Sequence, residues 1–159
     1  MWKEIEVTVL NDLSEVESLS SIEKETFGDT AWSPNILEGE LKNPFSKALV
    51  LLIGGRPVGY LLYRVIEKEG ELLRIAIKPE FQGMGLGKIL INALLKKLVE
   101  DGVNRLYLEV WEKNEPARKF YQKTGFKFLY KRKDYYKIGE HADIFYISPR
   151  EACHDQGCH

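Results

Sequence analysis

Cysteine is scarce in this chain: Cys153 and Cys158 are the only two, and both lie in the last few residues. Neither can staple the body of a fold, which excludes a disulfide scaffold and points to a reducing, cytoplasmic setting. Excess charge is also missing. With 23 basic and 24 acidic residues the formal net charge is −1, so there is no general attraction to nucleic acid or to an anionic membrane surface. No apolar run approaches the ~20 residues needed to span a bilayer. The opening "MWKEIEVTVL" has neither the basic n-region nor the apolar h-region of a signal peptide. What remains, 44% hydrophobic and 30% charged over 159 residues, is the composition of an ordinary globular domain. Residues 1–150 are expected to form one domain and residues 151–159 a flexible tail.

The chain alternates strand and helix patterns. "EIEVTVL" (4–10) has strand alternation. "SEVESLSSIEKETF" (14–27) places Val16, Leu19, Ile22 and Phe27 at helical spacing behind Ser14, a candidate N-cap. Ser33 followed by Pro34 has the form of a cap and first residue of a second helix, with Trp32 in the loop before it. "KALVLLI-GGRP-VGYLLYRVI" has the form of a hairpin, and "ELLRIAI" (71–77) is a strand stopped by Lys78-Pro79. Leu90, Leu94, Leu95 and Leu98 stripe a long helix that Gly102 ends. A strand at 104–110, a short helix at "NEPARKFYQKTGF" and two further strands complete the order β-α-α-β-β-β-α-β-α-β-β. That order predicts an α/β domain, a central mixed sheet flanked by helices, with a parallel crossover between 71 and 110.

Glycine clusters where the crossover turns from strand to helix. "FQGMGLGK" (81–88) holds glycines at 83, 85 and 87, and such a loop presents backbone N–H groups at the positive end of a helix, an anion site. It is not a Walker loop, which needs glycine at Gln82 and Ser or Thr at Ile89. Nor is it the dinucleotide fingerprint, which needs glycine at Lys88 or at Leu90. Its form is Q-x-x-G-x-G, met by Gln82, Gly85 and Gly87.

With its flanks, that loop resembles motif A of the GNAT superfamily of N-acetyltransferases. The downstream "N-x-x-A-x-x-x-Y-x-x-x-GF" of that superfamily is met by Asn114, Ala117, Tyr121, Gly125 and Phe126. "LEV", "FYQKTGF", "KRKDYY", "GEHA" and the upstream "ETFGDTAWSPNILEGEL" resemble more narrowly the RimI-type acetyltransferases of ribosomal-protein N-terminal alanine, over roughly residues 5–147. Three positions depart from that pattern: His141 stands where Asp is common, Asp143 where the family is apolar, and Trp111 where arginine is frequent.

The resemblance implies acetyl-CoA as co-substrate, no metal, and a protein N terminus as acceptor. It implies that Gln82, Gly83, Met84, Gly85, Leu86, Gly87 and Lys88 cradle the pyrophosphate. Ile75, Ala76 and Ile77 would pair with the pantetheine, and Asn114 would anchor the cofactor beside its role as a helix cap. Trp32, Ser33, Tyr135 and Tyr136 would line the peptide groove, and Glu112 and Asp143 flanking it would favour basic peptides. The chemistry needs a base, because an α-amino group of pKa ~7.7–8.0 is mostly protonated at neutral pH. Alternation puts Glu109 on the polar face of its strand with Arg105 and Tyr107, and the resemblance makes it the proton acceptor. It makes Tyr121, twelve positions on, the proton donor, since a phenol of ordinary pKa ~10 can protonate a leaving thiolate.

Two other functions fit parts of the pattern: acetylation of a small amine, and a coenzyme A-binding module without turnover. A pure binder needs neither Glu109 nor Tyr121. In the tail, Cys153, His154, Cys158 and His159 have metal-ligand chemistry, but C-x4-C is looser than ordinary structural zinc pairs and a frayed terminus is expected.

Overall fold

Helical stripes and strand alternation become the elements the pattern predicts in a computed structural model that describes residues 4–10 and 12–156. In chain order these are β1 (Ile5–Val9), α1 (Val16–Phe27), α2 (Pro34–Lys42), β2 (Ser46–Ile53), β3 (Arg56–Ile66), β4 (Glu69–Ile77), α3 (Leu86–Glu100), β5 (Arg105–Trp111), α4 (Glu115–Lys123), β6 (Lys127–Lys137), β7 (Glu140–Ile147) and α5 (Pro149–Gln156). The strands follow one another in the mixed sheet as β1-β2-β3-β4-β5-β7-β6. By contact density the chain divides into two compact units. One runs to Val65 and adds Leu72–Leu94; the other comprises Ile66–Glu71 and the residues from Leu95 onward.

In the first unit β1 and β3 both run antiparallel to β2. Leu19 and Ile22 of α1 and Leu37 of α2 bury against Val50, Tyr60, Leu62 and Ala76 of the strands. Each such aliphatic side chain contributes ~1.5–3 kcal/mol by leaving water. Helix α2 starts as the sequence predicts, with Ser33 Oγ accepting the Ile36 N–H at 3.2 Å and Pro34 in its first turn. The cap expected at Ser14 is not there. Asp12 instead accepts the Ser14 N–H at 3.0 Å and opens a short 3-10 turn, Leu13–Glu15, ahead of α1.

The second unit contains the parallel pairing that the crossover requires, Glu69 opposite Arg105 and Glu71 opposite Tyr107. Antiparallel to β5 lies β7, with Glu109 opposite Ile144, and among the described residues β6 pairs only with β7, through two register shifts. Leu106, Leu108 and Val110 are buried while Tyr107 and Glu109 turn to the other face, as the alternation requires. Beyond the last predicted strand Pro149–Gln156 is a helix, which the sequence pattern did not predict, and Ala152 is buried. Cys158 and His159 lie outside the described residues. Among the described residues no group of His, Cys, Asp or Glu is arranged to hold a metal ion, and no helix is long and apolar enough to cross a membrane.

Candidate active site

In the first unit, β4 runs out at Ile77 and a 3-10 turn, Pro79–Phe81, leads into the glycine loop. Gly83 and Gly85 both adopt left-handed backbone, φ +79° and +80°, which is why these two positions take glycine. A Cβ built on either would meet nothing within 4 Å. Space beside the backbone is therefore open, as a loop that admits a phosphate needs. The Ile89 N–H closes on the Gly85 carbonyl at 3.2 Å. The N–H groups of Leu86, Gly87 and Lys88 precede that bond and lack helical acceptors, at the end of α3 where the dipole favours an anion. These residues fit a pyrophosphate. Leu86 is buried and anchors the turn; Met84 is exposed.

Gln82 has a different task from its neighbours. Its side-chain Nε2 donates to the Ile77 carbonyl at 2.8 Å and its backbone N–H to Pro79 at 3.2 Å, so it builds the loop from behind. The Ile77 carbonyl also accepts from Thr26 Oγ1 at 3.2 Å. With two donors already on it, that oxygen has no lone pair left for the pairing expected along Ile75, Ala76 and Ile77.

The loop between α1 and α2 carries Trp32 and Ser33. The Ser33 hydroxyl caps α2. Trp32 is half-buried, its backbone N–H donates to Glu23 Oε1 at 2.9 Å, and the Arg74 guanidinium lies 4.8 Å from its ring centre.

In the second unit a cleft of about 440 Å³ is lined by Glu71, Tyr107, Leu108, Glu109, Tyr130 and Arg132, with Leu129 and Ile144 completing its wall. Strand alternation alone brings Tyr107 and Glu109 to it, and the parallel register sets Glu71 beside Tyr107. Tyr135 Oη donates to Glu109 Oε1 at 3.1 Å. That bond to the carboxylate and its negative charge hold the Tyr135 phenol above its ordinary pKa. Burial, and then the same carboxylate, raise Tyr136 as well. The two tyrosine rings meet edge-on at 5.1 Å, and Arg132 covers Tyr135 at 4.2 Å. Just before them Asp134 sits at φ +53°, a conformation its short polar side chain tolerates. Its Oδ1 accepts the Gly139 N–H at 2.7 Å, and its own N–H donates to His141 Nδ1 at 2.9 Å. His141 thus shapes the hairpin tip that presents the two tyrosines.

Helix α4 holds the other expected residues. Asn114 Oδ1 accepts the Ala117 N–H at 3.3 Å as the N-cap. The Tyr121 ring lies edge-on between Phe120 and Phe126, at 5.3 and 5.6 Å. Asp143 corrects an expectation. It is 2% exposed, with Arg118 Nε at 3.0 Å and Lys131 Nζ at 3.9 Å from its carboxylate oxygens, so it is a buried ion-pair partner rather than a charge offered to a peptide. Glu112 is also engaged: it pairs with Lys131, which draws the Glu112 carboxyl down and is itself raised.

Sequence reasoning did not single out Glu71, Arg132 or Glu23. The signal for Glu71 was present, since β4 and β5 were expected to pair in parallel and both carry an acid on their polar face. Arg132 is one of several cations along β6, and nothing in the pattern separates it from the rest.

Comparison with known proteins agrees with this geometry. The model of the acetyltransferase (GNAT) family matches residues 11–126. A ribosomal protein bS18-alanine N-acetyltransferase of Haemophilus influenzae is 40% identical over 101 residues, covering 62% of this chain and 68% of that one. The crystal structure of the ribosomal-protein-S18-alanine N-acetyltransferase of Escherichia coli superposes with TM-score 0.81 at 25% identity, over 91% of this chain and 94% of that one. An acetyltransferase of Thermoplasma acidophilum solved with coenzyme A has TM-score 0.74 at 23% identity, over 91% and 99%; the likeness there is one of fold. The glycine loop, the strand that follows its helix and the length of the family match together establish that this chain belongs to the GNAT family of acetyltransferases.

Proposed function

We propose that this chain is a cytoplasmic protein N-α-acetyltransferase whose acceptor is the N-terminal alanine of a small-subunit ribosomal protein. The observation that carries the reading is Glu109 on the wall of an open cleft, its carboxylate accepting from a neutral phenol and, among the described residues, in no ion pair. An anionic oxygen so placed can receive a proton from an ammonium group, directly or through a water. Acetyl-CoA supplies the thioester carbonyl when bound, its pyrophosphate held by Gly83–Lys88. Glu109 removes the proton from the acceptor α-ammonium. The amine nitrogen then forms the new C–N bond as the C–S bond breaks, and Tyr121 returns a proton to the thiolate. Trp32 and Ser33 in one unit, and Tyr135 and Tyr136 in the other, are each assigned to recognition of the acceptor peptide. The relatives named above act on the same class of acceptor, and this supports a peptide over a small amine.

The test is incubation of the protein and acetyl-CoA with three acceptors: a free peptide beginning with alanine, the same peptide blocked at its N terminus but carrying lysine, and a polyamine. Mass spectrometry should show one added acetyl group on the first only. Acetylation confined to the lysine peptide or the polyamine would overturn the proposal.

A further inference from the structure

Helix α1 is tied to strand β4 by a row of polar contacts that the proposed chemistry does not use. Glu25 pairs with Lys78 at 3.2 Å, and Thr26 Oγ1 donates to the Ile77 carbonyl. Glu23 meets Arg74 through two bonds, Nη2 to Oε1 at 2.7 Å and Nε to Oε2 at 3.0 Å. The Glu23 side chain is 0% exposed and that of Arg74 20%. Tyr60 Oη donates to the same carboxylate at 2.5 Å and the Trp32 backbone N–H at 2.9 Å, so two oxygens accept four bonds. Arg74 also lies over two rings, 4.0 Å from the centre of Phe27 and 4.8 Å from that of Trp32.

An ion pair buried this deeply is an inefficient way to hold a helix on a sheet. Removing both charges from water costs several kcal/mol, and apolar side chains of similar volume often serve stability as well or better. What an apolar pair cannot do is fix a backbone N–H and a ring plane at once. The Glu23–Arg74 unit does both, and it does them to a single residue, Trp32. One end of the unit is rooted in β4, whose last residues, Ile75–Ile77, run into the glycine loop; the other end grips the loop between α1 and α2.

We infer that Glu23 and Arg74 are positioning residues for the acceptor, setting the backbone and ring of Trp32 so that the loop from Gly28 to Ser33 recognises a peptide N terminus. The inference rests on the proposed role of Trp32 in the peptide groove. Neither residue touches the reacting atoms. Their loss is expected to show in acceptor recognition and not in cofactor binding, which a merely stabilising pair would not distinguish.

The test is steady-state kinetics on the intact protein with the alanine peptide and acetyl-CoA, for Glu23→Gln, Arg74→Lys, Trp32→Ala and the double variant Glu23→Gln/Trp32→Ala. Arg74→Lys keeps the cation but loses the fork and the flat face, and it decides the matter alone if Glu23→Gln does not fold. Glu23→Gln and Arg74→Lys should each raise the peptide KM about tenfold, the scale of a small misplacement, with the acetyl-CoA KM unchanged. Adding Glu23→Gln to Trp32→Ala should raise the peptide KM by clearly less than the product of the two single factors, because the ring being positioned is gone and only the backbone N–H is left to misplace. If Trp32→Ala raises the peptide KM while the folded Glu23 and Arg74 variants do not, the inference falls and the role of Trp32 stands. An equal rise for both substrates, or factors that multiply in the double variant, would also overturn the inference. If Trp32→Ala itself leaves the peptide KM unchanged, the groove reading fails and takes the inference with it.

Discussion

Two glutamates on opposite sides of the chain's division show how one side chain does unlike work. Glu23 of α1 is sealed from water, and its oxygens are filled by Arg74, Tyr60 and the Trp32 N–H. Burial alone would raise its carboxyl, but the donors together hold it below the ordinary carboxylate range. Glu109 of β5 faces a cleft, and the donor it accepts from among the described residues is a tyrosine. A carboxylate whose lone pairs are all engaged is a structural anchor that cannot take a proton without breaking something. A carboxylate held by one neutral donor keeps room for a proton and a substrate. The difference lies in what surrounds each acid, and position on a helix or a strand would not reveal it.

Neutralising the two acids should separate these roles by the measurement that responds. Glu109→Gln should lower kcat by ~10²–10⁴-fold, the usual contribution of a general base, with thermal stability close to that of the parent. The deficit should shrink as pH rises past the amine pKa of ~8, because the acceptor then arrives neutral. Tyr121→Phe should lower kcat without that recovery, since the missing proton is the one owed to the thiolate. A Glu109→Gln defect equally large at pH 7 and pH 9.5 would make Glu109 a positioning group.

For Glu23→Gln the large effect should be on stability. Removing one partner of a buried pair costs ~3–5 kcal/mol, read by denaturant unfolding. The sign of its pH dependence follows from the depressed carboxyl: the parent holds this stabilisation above the unfolded carboxyl pKa of ~4.3 and loses it as pH falls through the lower folded value. The difference between parent and variant should therefore narrow in acid. A constant difference from pH 7 to pH 3 would show that the charge of Glu23 is not what stabilises.

The glycine loop gives the next smaller effect. Gly85→Val imposes a β-branched side chain on left-handed backbone beside the open space, and coenzyme A affinity by calorimetry should fall more than about tenfold while the fold survives. Unchanged affinity in a folded variant would remove the loop from the cofactor site. The smallest expected change is that of Tyr135→Phe, which takes away the donor to Glu109 and keeps the ring. A loss of about 1 kcal/mol of orientation, some fivefold in kcat/KM, is the scale of one hydrogen bond. No change would leave Tyr135 only its stacking against Tyr136 and Arg132.

The sequence told more about the strands and helices than about their polar contacts, for a physical reason. Period and punctuation are local, so the order of elements, the Ser33 cap, the glycine turn and the exposed face of β5 could all be foreseen. The burial of Glu23 could not, because "SIEKETF" has the pattern of a solvated helix face and the guanidinium that makes burial tolerable lies 51 residues away. Asp143 misled in the opposite direction: a departure from the family pattern beside an expected groove suggested an exposed charge, and the structure fills it from Arg118 and Lys131. Helix α5 was missed because its sequence is short and polar, and helices of that length owe their stability to docking rather than to propensity.

The last strand of the sheet order has a bearing on the solution life of the protein. Among the described residues β6 pairs on one side only; it is exposed along its whole length and shows Phe128, Leu129 and Tyr130 to solvent. An open border of that kind invites a second chain to continue the sheet. Lys127, Lys131, Arg132, Lys133 and Lys137 stand along it, and its pairing slips twice in register. Two copies brought border to border would bring together lysines and arginines of both strands, on a strand whose pairing is already irregular. The same basic run that flanks the cleft is thus of the kind by which sheet proteins guard an open border.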